Sequence, residues 1–235
     1  MINYNLEDYN NEFVNNNPFP HIALDNFFNE DVIEEVYSEF PDENSDVFTW
    51  KSNDKNSKKL MCQDRRVIED RLPKIDAFIK YLNSPAFLDE VSKLTGIKDL
   101  VGDQELAGGG LHQIYSGGFL NVHADFNVSD TMPDYHRRLN IIIYLSKDWE
   151  EEYNGQLELW DTELTHSVKH VHPAFNRIVL FNTQPDGDVI AYHGHPTPLK
   201  APDGVTRKSI ALYYYTKEEP NNILSGKHKT IYKPV

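Results

Sequence analysis

Three features are scarce in this sequence of 235 residues, and each scarcity excludes a class of protein. Cysteine occurs once, as Cys62, so no disulfide can form within the chain and a reducing compartment suits it. No apolar run approaches the roughly 20 residues that a membrane-spanning helix needs. Basic residues number 23 against 37 acidic ones. The resulting net charge of −14 argues against nucleic acid as a partner, because binding to phosphates depends on Lys and Arg.

Signals for export or for division of the chain are also missing. The first residues lack the basic segment followed by apolar residues that marks a secretory signal. Together with the lone cysteine, this predicts a cytoplasmic protein without a membrane partner. No internal repeat and no Pro- or Ser-rich linker divides the sequence, so we predict one catalytic-sized domain over residues 1–235.

The first hundred residues have mainly helical periodicity. Residues 1–17 are polar and Asn-rich, which predicts a loosely held lead-in, and Pro18–Phe28 is predicted as an edge strand because its prolines stand at its start. Asn29 is a candidate N-cap for the first of three helices. The charged segment Asp42–Lys59 predicts a mobile loop that could order over a substrate. The predicted helices are Glu30–Phe40, Pro73–Leu82 and Pro85–Leu94.

After residue 100, short β-type segments alternate with turn residues. Eight such strands separated by polar turns favour an antiparallel sandwich or jelly roll over a parallel sheet. The predicted fold is mainly β, with supporting elements over 1–100, a jelly-roll core over 101–220 and a C-terminal tail over 221–235. The predicted strands are Gly110–Tyr115, Phe119–Asp125, Arg138–Leu145, Gln156–Trp160, Val168–His172, Arg177–Asn182, Ile190–His193 and Arg207–Thr216.

Two potential metal ligands lie in the predicted strand Phe119–Asp125. Residues i and i+2 of a strand face the same way, so the imidazole of His123 and the carboxylate of Asp125 project together. With a second histidine they would form the two-His, one-carboxylate set of non-haem Fe(II) oxygenases, which leaves coordination positions open. A His-x-Asp pair alone is weak evidence, because roughly one is expected by chance in such a chain.

The segment Tyr192–Pro196 contains two candidates for the third ligand, His193 and His195. His193 is preferred because it shares a strand face with the small side chain of Ala191, which leaves room for a metal. His195 directly precedes a proline, where we expect the chain to have left the strand. We therefore assign His195 to the pocket wall or to contacts that support the ligands.

The motifs around these residues follow one another in a specific order. They begin with a tyrosine and a glycine turn before His-x-Asp, continue through an Arg-led apolar strand, and end with a basic residue two positions before a serine. In this order the sequence from Pro18 to Thr216 resembles the prolyl 4-hydroxylase-like branch of the Fe(II)/2-oxoglutarate-dependent dioxygenases. The family more often has Gly-Gly where Asn154-Gly155 stands. The motifs are Tyr115–Asp125, Arg138–Leu145, Trp149–Trp160 and Arg207–Ser209.

The resemblance implies both a fold and an activity. The fold is a double-stranded β-helix, which is a jelly roll, and the cofactors are Fe(II), 2-oxoglutarate and O2, with ascorbate as an accessory. The implied reaction is hydroxylation of an unactivated C–H bond, of a prolyl residue in a peptide or protein, with release of succinate and CO2. His123, Asp125 and His193 would be the metal ligands, and the resemblance implies no further catalytic side chain.

Strand alternation extends the resemblance to the cosubstrate. On the last strand Arg207 shares a face with Ser209 and Ala211, whereas Lys208 points the opposite way. Arg207 can bind the distal carboxylate of 2-oxoglutarate through two parallel hydrogen bonds, above the floor that the two small residues form.

Three further residues are assigned to the same pocket. Asn140 and Tyr144 share a face of the apolar strand Arg138–Leu145, and a buried amide in such a strand needs a partner. We assign both to the cosubstrate pocket or its immediate support, with plain core packing as the other interpretation. Tyr115 is a candidate donor to the distal carboxylate by resemblance to the family position.

Three alternatives share parts of this evidence. A hydroxylase of free amino acids or sugars would use all the same residues, so only its substrate would distinguish it. A nucleic-acid demethylase would need a basic groove, which the net charge of −14 disfavours. A non-catalytic jelly-roll binding module could keep the fold but would be expected to lose the metal ligands or Arg207, and all of these residues are present.

Overall fold

Two antiparallel β-sheets and a group of helices make up the fold. The computed structural model describes residues 1–48, 50–51, 58–224 and 226–234. The helices of this part are α1 (Asn10–Asn15), α2 (Glu30–Glu39), α3 (Arg65–Arg71), α4 (Pro73–Leu82) and α5 (Pro85–Thr95), with 3-10 turns at Leu6–Tyr9 and Glu151–Tyr153. None of the described helices is long and apolar enough to cross a lipid bilayer.

The strands of the described residues pair antiparallel throughout. They are β1 (His21–Leu24), β2 (Trp50–Lys51), β3 (Lys59–Cys62), β4 (Val101–Gly102), β5 (Gly110–Ile114), β6 (Leu120–Ala124), β7 (His136–Tyr144), β8 (Leu157–Trp160), β9 (Ser167–Val171), β10 (Ile178–Asn182), β11 (His193–His195), β12 (Arg207–Thr216) and β13 (Ile231–Tyr232). The larger sheet has the order β1-β10-β7-β12-β5-β3-β2, with β4 also on β12, and the smaller sheet has the order β13-β6-β11-β8-β9.

The larger sheet is covered on both faces, and this explains its apolar sequence. On its outer face, residues such as Ile141, Ile210 and Leu212 join one core cluster with the buried sides of the helices. On its inner face, Phe181 packs with Leu159 of the smaller sheet in a second cluster. A strand that is buried on both faces typically has a continuous apolar sequence. The prediction of a mainly β jelly roll with supporting helices is confirmed.

Three expectations about the first hundred residues need correction. Residues 1–17 are not a loosely held lead-in, because the side chains of Leu6 and Phe13 are buried in the main core. Asn29 precedes α2, but its side chain does not cap the helix and instead donates to Asn3 Oδ1 at 2.7 Å. The sequence prediction also missed α1, α3, β2 and β3 in this part of the chain, and β4 directly after it.

Two further segments differ from their predictions. The predicted loop Asp42–Lys59 falls partly outside the described residues, at 49 and 52–57, while the remainder includes β2 and the first residue of β3. The strand expected at Ile190–His193 is displaced, because β11 starts at His193 and ends at His195. The tail also forms a short strand, β13, which pairs with β6 beside His123.

Candidate metal centre and its pocket

A cavity of about 260 Å³ lies between the inner faces of the two sheets. β6 and β11 of the smaller sheet contribute His123, His193 and His195 to its wall, and Asp125 directly follows β6. β3, β5, β7 and β12 of the larger sheet form the opposite wall. Residues from strands far apart in sequence therefore meet here because the two sheets pack face to face.

Three side chains at one end of this cavity are arranged as metal ligands. One ligand atom each from His123, Asp125 and His193 lies within 4.8 Å of the other two, and in the described part of the chain no other group of His, Cys, Asp and Glu does so. The Nε2 atoms of His123 and His193 are 3.5 and 3.4 Å from the Asp125 carboxylate oxygens. Cross-strand pairing of His193 with His123 places the two imidazoles side by side.

The hydrogen bonds of both imidazoles fix their tautomers. His123 Nδ1 lies 2.9 Å from the carbonyl of Asn121, and His193 Nδ1 lies 3.0 Å from the carbonyl of Ala191. A carbonyl oxygen only accepts, so each Nδ1 must carry the proton and donate. Each Nε2 is thereby left with a free lone pair directed at the centre of the triad. Metal-binding histidines are typically oriented in this way.

The charge states of the triad also suit a metal. Burial alone would raise the pKa of the Asp125 carboxyl, but Arg137 and the two histidines outweigh it and hold that pKa well below its usual range. Burial, followed by the neighbouring His123, lowers the pKa of His193 to about 4. Near pH 7 the centre therefore offers a carboxylate and a neutral imidazole, which are the forms that coordinate Fe(II). The residues present fit a divalent iron.

The structure separates the two candidate histidines of the Tyr192–Pro196 segment. His193 joins the triad, whereas His195 lies elsewhere in the cavity wall with both ring nitrogens buried and without a hydrogen-bond partner. A register shift between the two residues separates their positions along β6. Gly194 stands between them because a Cβ there would lie 2.9 Å from the Leu120 carbonyl oxygen, too close for any side chain.

Arg137 and Asn140 of the larger sheet hold the Asp125 carboxylate from the opposite side. Arg137 Nη2 is 2.8 Å from Asp125 Oδ2, and Asn140 Nδ2 donates to the same oxygen at 3.3 Å. The Arg137 guanidinium contacts two aromatic rings that meet edge to face, 3.4 Å from the Tyr213 centroid and 4.6 Å from that of Phe126. Arg137 is fully buried, yet its Nε and Nη1 have no hydrogen-bond partner among the described residues.

At the other end of the cavity Arg207 is fixed for binding an anion. Its Nε donates to the Gly155 carbonyl at 2.9 Å and its Nη2 to the Tyr144 hydroxyl at 3.0 Å. Gly155 has φ +78°, and a Cβ there would lie 3.2 Å from Arg207 Cδ, so glycine permits this close approach. Two guanidinium contacts are thus used for orientation, and the remaining N–H groups are available to a carboxylate.

Most of the residues assigned to the cosubstrate pocket lie in this cavity. Asn140 and Ser209 line it, and Tyr144 reaches it through its hydrogen bond to Arg207. Lys208 points the other way, above the rings of Tyr37 and Phe40. Tyr115 is the exception.

The structure does not bring Tyr115 into the pocket. It follows the last residue of β5, where its amide donates to the Lys58 carbonyl, and its side chain packs against the main core cluster. Alternation along β5 directs His112 and Ile114, and not Tyr115, into the cavity. The assignment of Tyr115 as a donor to the distal carboxylate is therefore corrected.

The sequence prediction missed Arg137 for an identifiable reason. Strict alternation would place Arg137 on the same outer face as Leu139. On β12 the neighbouring residues Tyr214 and Tyr215 pair with Leu139 and Arg137, so one strand contains an extra residue at this point. This bulge turns Arg137 inward, and β-bulges are not readable from apolar periodicity.

Comparisons with known proteins agree with this site. Residues 109–215 match the family described as the 2OG-Fe(II) oxygenase superfamily. A curated relative, prolyl 3,4-dihydroxylase OGFOD1 of Ostreococcus tauri, is 28% identical over 229 residues, which cover 91% of this chain and 41% of the relative. The chain therefore spans about two fifths of the length of that relative.

Solved structures show the same fold. A prolyl 4-hydroxylase from Phytophthora capsici has a TM-score of 0.60 at 17% identity, over 91% of this chain and 68% of its own. A Trichoplax adhaerens prolyl hydroxylase, solved with a hypoxia-inducible factor peptide, has a TM-score of 0.58 at 18% identity over 90% of both chains.

The class of protein follows from the fold, the triad and these matches together. Residues 109–215, which match the 2OG-Fe(II) oxygenase superfamily, contain both the candidate metal ligands of the smaller sheet and Arg207 of the larger one. Within that superfamily the chain is similar to the prolyl hydroxylases, and the resemblance that the sequence motifs indicated is confirmed.

Proposed function

We propose that this protein is an Fe(II)- and 2-oxoglutarate-dependent dioxygenase that hydroxylates a prolyl residue of a peptide or protein. The observation that carries the proposal is one cavity with the His123, Asp125 and His193 triad at one end and Arg207 at the other. A 2-oxo dicarboxylate can bridge these two ends, because its oxo-acid group suits a metal with open positions and its distal carboxylate suits a guanidinium.

The chain's own residues would bind the metal, orient the cosubstrate and shield the reacting atoms. His123, Asp125 and His193 would hold the iron, which together with 2-oxoglutarate and O2 supplies the oxidative decarboxylation and the hydroxylating power. Arg207, positioned by Tyr144, would orient the cosubstrate, while Arg137 and Asn140 hold the Asp125 carboxylate in place. The cavity walls would shield the reacting atoms from bulk water.

Two features of the metal end favour a prolyl residue within a chain. The Tyr213 and Phe126 rings meet edge to face beside the Arg137 guanidinium and offer an apolar surface that suits the pyrrolidine ring, and the unpartnered Arg137 Nε and Nη1 suit a peptide carbonyl. A second cavity of about 330 Å³ shares Gly108, Phe126 and Thr230 with the first, which gives the residues flanking the target a place to lie.

The relatives support the same substrate class. The curated relative is named a prolyl 3,4-dihydroxylase, and the Trichoplax adhaerens structure contains a peptide fragment. Both names refer to prolyl hydroxylation and one of them to a bound peptide, which is why we extend a prolyl peptide substrate to this protein.

The proposal is tested in two steps. Anaerobic addition of 2-oxoglutarate to the Fe(II)-loaded protein should produce the weak visible charge-transfer band of a chelated iron–oxo-acid complex. Incubation in air with varied prolyl peptides should then give succinate in proportion to a singly oxygenated peptide, measured by mass spectrometry. A folded, iron-loaded protein without the band contradicts the dioxygenase assignment. Turnover of a free amino acid or sugar, with no oxygenated peptide, contradicts only the prolyl substrate.

A further inference from the structure

A second cationic side chain, that of Lys59 on strand β3, lies in the wall of the cavity with Arg207. Lys59 is paired with Ile114 of β5, which in turn is paired with Arg207 of β12. Directly opposed residues on neighbouring strands point to the same face, so Lys59, Ile114 and Arg207 form one row on the inner face of the larger sheet. Two strand spacings separate the first and last Cα atoms, roughly 10 Å, which long side chains can bridge.

The surroundings of Lys59 differ sharply from those of its neighbour in sequence. Lys58 is exposed, and its ammonium donates to the Ser116 carbonyl at 3.0 Å. Lys59 is half-buried and lines the cavity, and no carboxylate of the described residues lies within ion-pair distance of it. Two adjacent lysines therefore occupy opposite environments, and only Lys59 brings an uncompensated charge to the site.

The charge balance of the cavity calls for an anion. Its described lining contains three cations, Arg137, Arg207 and protonated Lys59, and one carboxylate, Asp125, so its net charge is +2. Asp125 is already in contact with Arg137. A divalent metal would add further positive charge. The cavity is therefore a positively charged pocket in a protein whose net charge is −14.

The position of Lys59 indicates which part of a ligand it would meet. Asn140 and Arg137, which contact Asp125, lie toward the opposite end of the inner face from the Arg207 row. His195, whose two ring nitrogens have no partner, also lies in the cavity wall, and after burial Arg207 and Lys59 are the groups that most lower its pKa. The polar groups around Lys59 thus converge on the end of the cavity that is distant from the metal ligands.

We propose that Lys59 is a second cationic anchor for the dicarboxylic cosubstrate, whose distal carboxylate lies between the Lys59 ammonium and the Arg207 guanidinium. The inference rests on the proposed function, since it presumes a 2-oxo dicarboxylate in this cavity. Burial, followed by Arg207, lowers the pKa of Lys59 to about 8, and the opposing effect of Asp125 is smaller than either. Lys59 acts on selectivity: it distinguishes a dicarboxylate from a monocarboxylic 2-oxo acid.

The test compares Lys59→Met with Lys59→Arg and with Lys58→Met as the matched control. Anaerobic calorimetry on the Fe(II)-loaded proteins measures the Kd of 2-oxoglutarate and of 2-oxopentanoate, which lacks the distal carboxylate. A hydrogen bond to a charged group predicts that Lys59→Met weakens 2-oxoglutarate binding about ten- to a hundredfold. Binding of 2-oxopentanoate should not change, Lys59→Arg should retain most of the affinity, and Lys58→Met should equal the wild type.

Each other outcome has a definite meaning. An unchanged 2-oxoglutarate Kd in a folded Lys59→Met protein overturns the inference but leaves the proposed function intact. Equal losses for both oxo acids also overturn it, because they place the effect of Lys59 at the metal end or on the fold. A raised peptide KM at an unchanged 2-oxoglutarate Kd assigns Lys59 to the peptide instead. A wild-type protein that holds iron but binds no 2-oxoglutarate overturns the proposed function itself.

Discussion

The two faces of strand β12 have opposite roles, although their residues alternate in sequence. On the inner face, Arg207 and Tyr213 border the cavity, close to polar groups without hydrogen-bond partners. On the outer face, Ile210 and Leu212 pack into the core beneath the helices, and the Tyr214 hydroxyl donates to a helix carbonyl. Unsatisfied buried polar groups are costly, so those of Arg137, Asn140 and His195, which line the cavity, mark the inner face as a ligand site.

The adjacent cations Arg207 and Lys208 illustrate the difference most directly. Arg207 is buried, and its guanidinium is oriented by a carbonyl and a tyrosine hydroxyl. Lys208 lies over the rings of Tyr37 and Phe40 at 5.5 and 5.7 Å, where an exposed cation–π contact contributes about 0.5–1 kcal/mol. One residue of displacement along the strand thus separates a binding group from a surface contact.

The largest effect is expected where the inner face meets the metal ligands. Asp125→Ala should abolish iron binding, since it removes one of three protein ligands, as measured by iron content after dialysis. It should also lower the free energy of unfolding by about 3–5 kcal/mol, because Arg137 keeps a buried charge without its partner.

Combining Asp125→Ala with Arg137→Met separates these two effects. The double variant should recover much of the stability in urea titrations but none of the iron binding, because the unpaired cation is removed while the missing ligand is not replaced. Retained iron in Asp125→Ala would rule out the proposed triad.

On the outer face the expected effect is on stability alone. Ile210 is fully buried in the core between the larger sheet and the helices. Ile210→Ala should lower the free energy of unfolding by about 2–5 kcal/mol, as core truncations do. The folded fraction should bind iron and 2-oxoglutarate as the wild type does. A loss of 2-oxoglutarate affinity under conditions in which the variant is folded would show that the two faces are not independent.

The matched pair Arg207→Met and Lys208→Met tests the faces with the same chemical change. Arg207→Met should weaken 2-oxoglutarate binding by about 1.5–3 kcal/mol, which is roughly ten- to a hundredfold, because a charged hydrogen bond is lost. Lys208→Met should leave the Kd unchanged in the same calorimetric titration. Equal losses in both variants would indicate a general electrostatic effect in place of a direct contact.

The same contrast explains which site residues could be predicted from the sequence alone. Alternation along β12 correctly separated Arg207 from Lys208, and the i, i+2 relation brought His123 and Asp125 together, because both depend only on regular strand geometry. The bulge that turns Arg137 inward depends on pairing between β7 and β12, which the sequence does not encode locally.

Two other failures have the same origin. β3 was hidden in a charged segment, so Lys59 was assigned to a loop, although pairing with β5 directs it into the cavity. Residues 1–17 appeared too polar to pack, yet a few apolar side chains such as Leu6 and Phe13 are enough to join the core. Isolated apolar residues in a polar segment give no periodic signal, and their partners are distant in sequence.

The smallest expected effect is a pH dependence that distinguishes Lys59 from the other groups around it. The pKa of Lys59 is about 8 in the cavity, and those of His112, His193 and His195 are lowered, chiefly by burial, so these three imidazoles are neutral by pH 7. Asp125 is anionic throughout, because its pKa is held low. Between pH 7 and 9 the ammonium is therefore the group near the distal carboxylate that loses its charge.

Because an anion binds the protonated lysine, affinity is full below the pKa and falls as the pH rises through it. The protonated fraction falls from about 0.9 at pH 7 to about 0.1 at pH 9, so the Kd of 2-oxoglutarate should rise by about tenfold in anaerobic calorimetry. Lys59→Arg should remove this dependence, since a guanidinium stays charged over the range, whereas Lys59→Met should bind weakly at both pH values. A Kd in the wild type that does not change with pH, or one that changes equally in Lys59→Arg, would show that the Lys59 ammonium does not contact the cosubstrate.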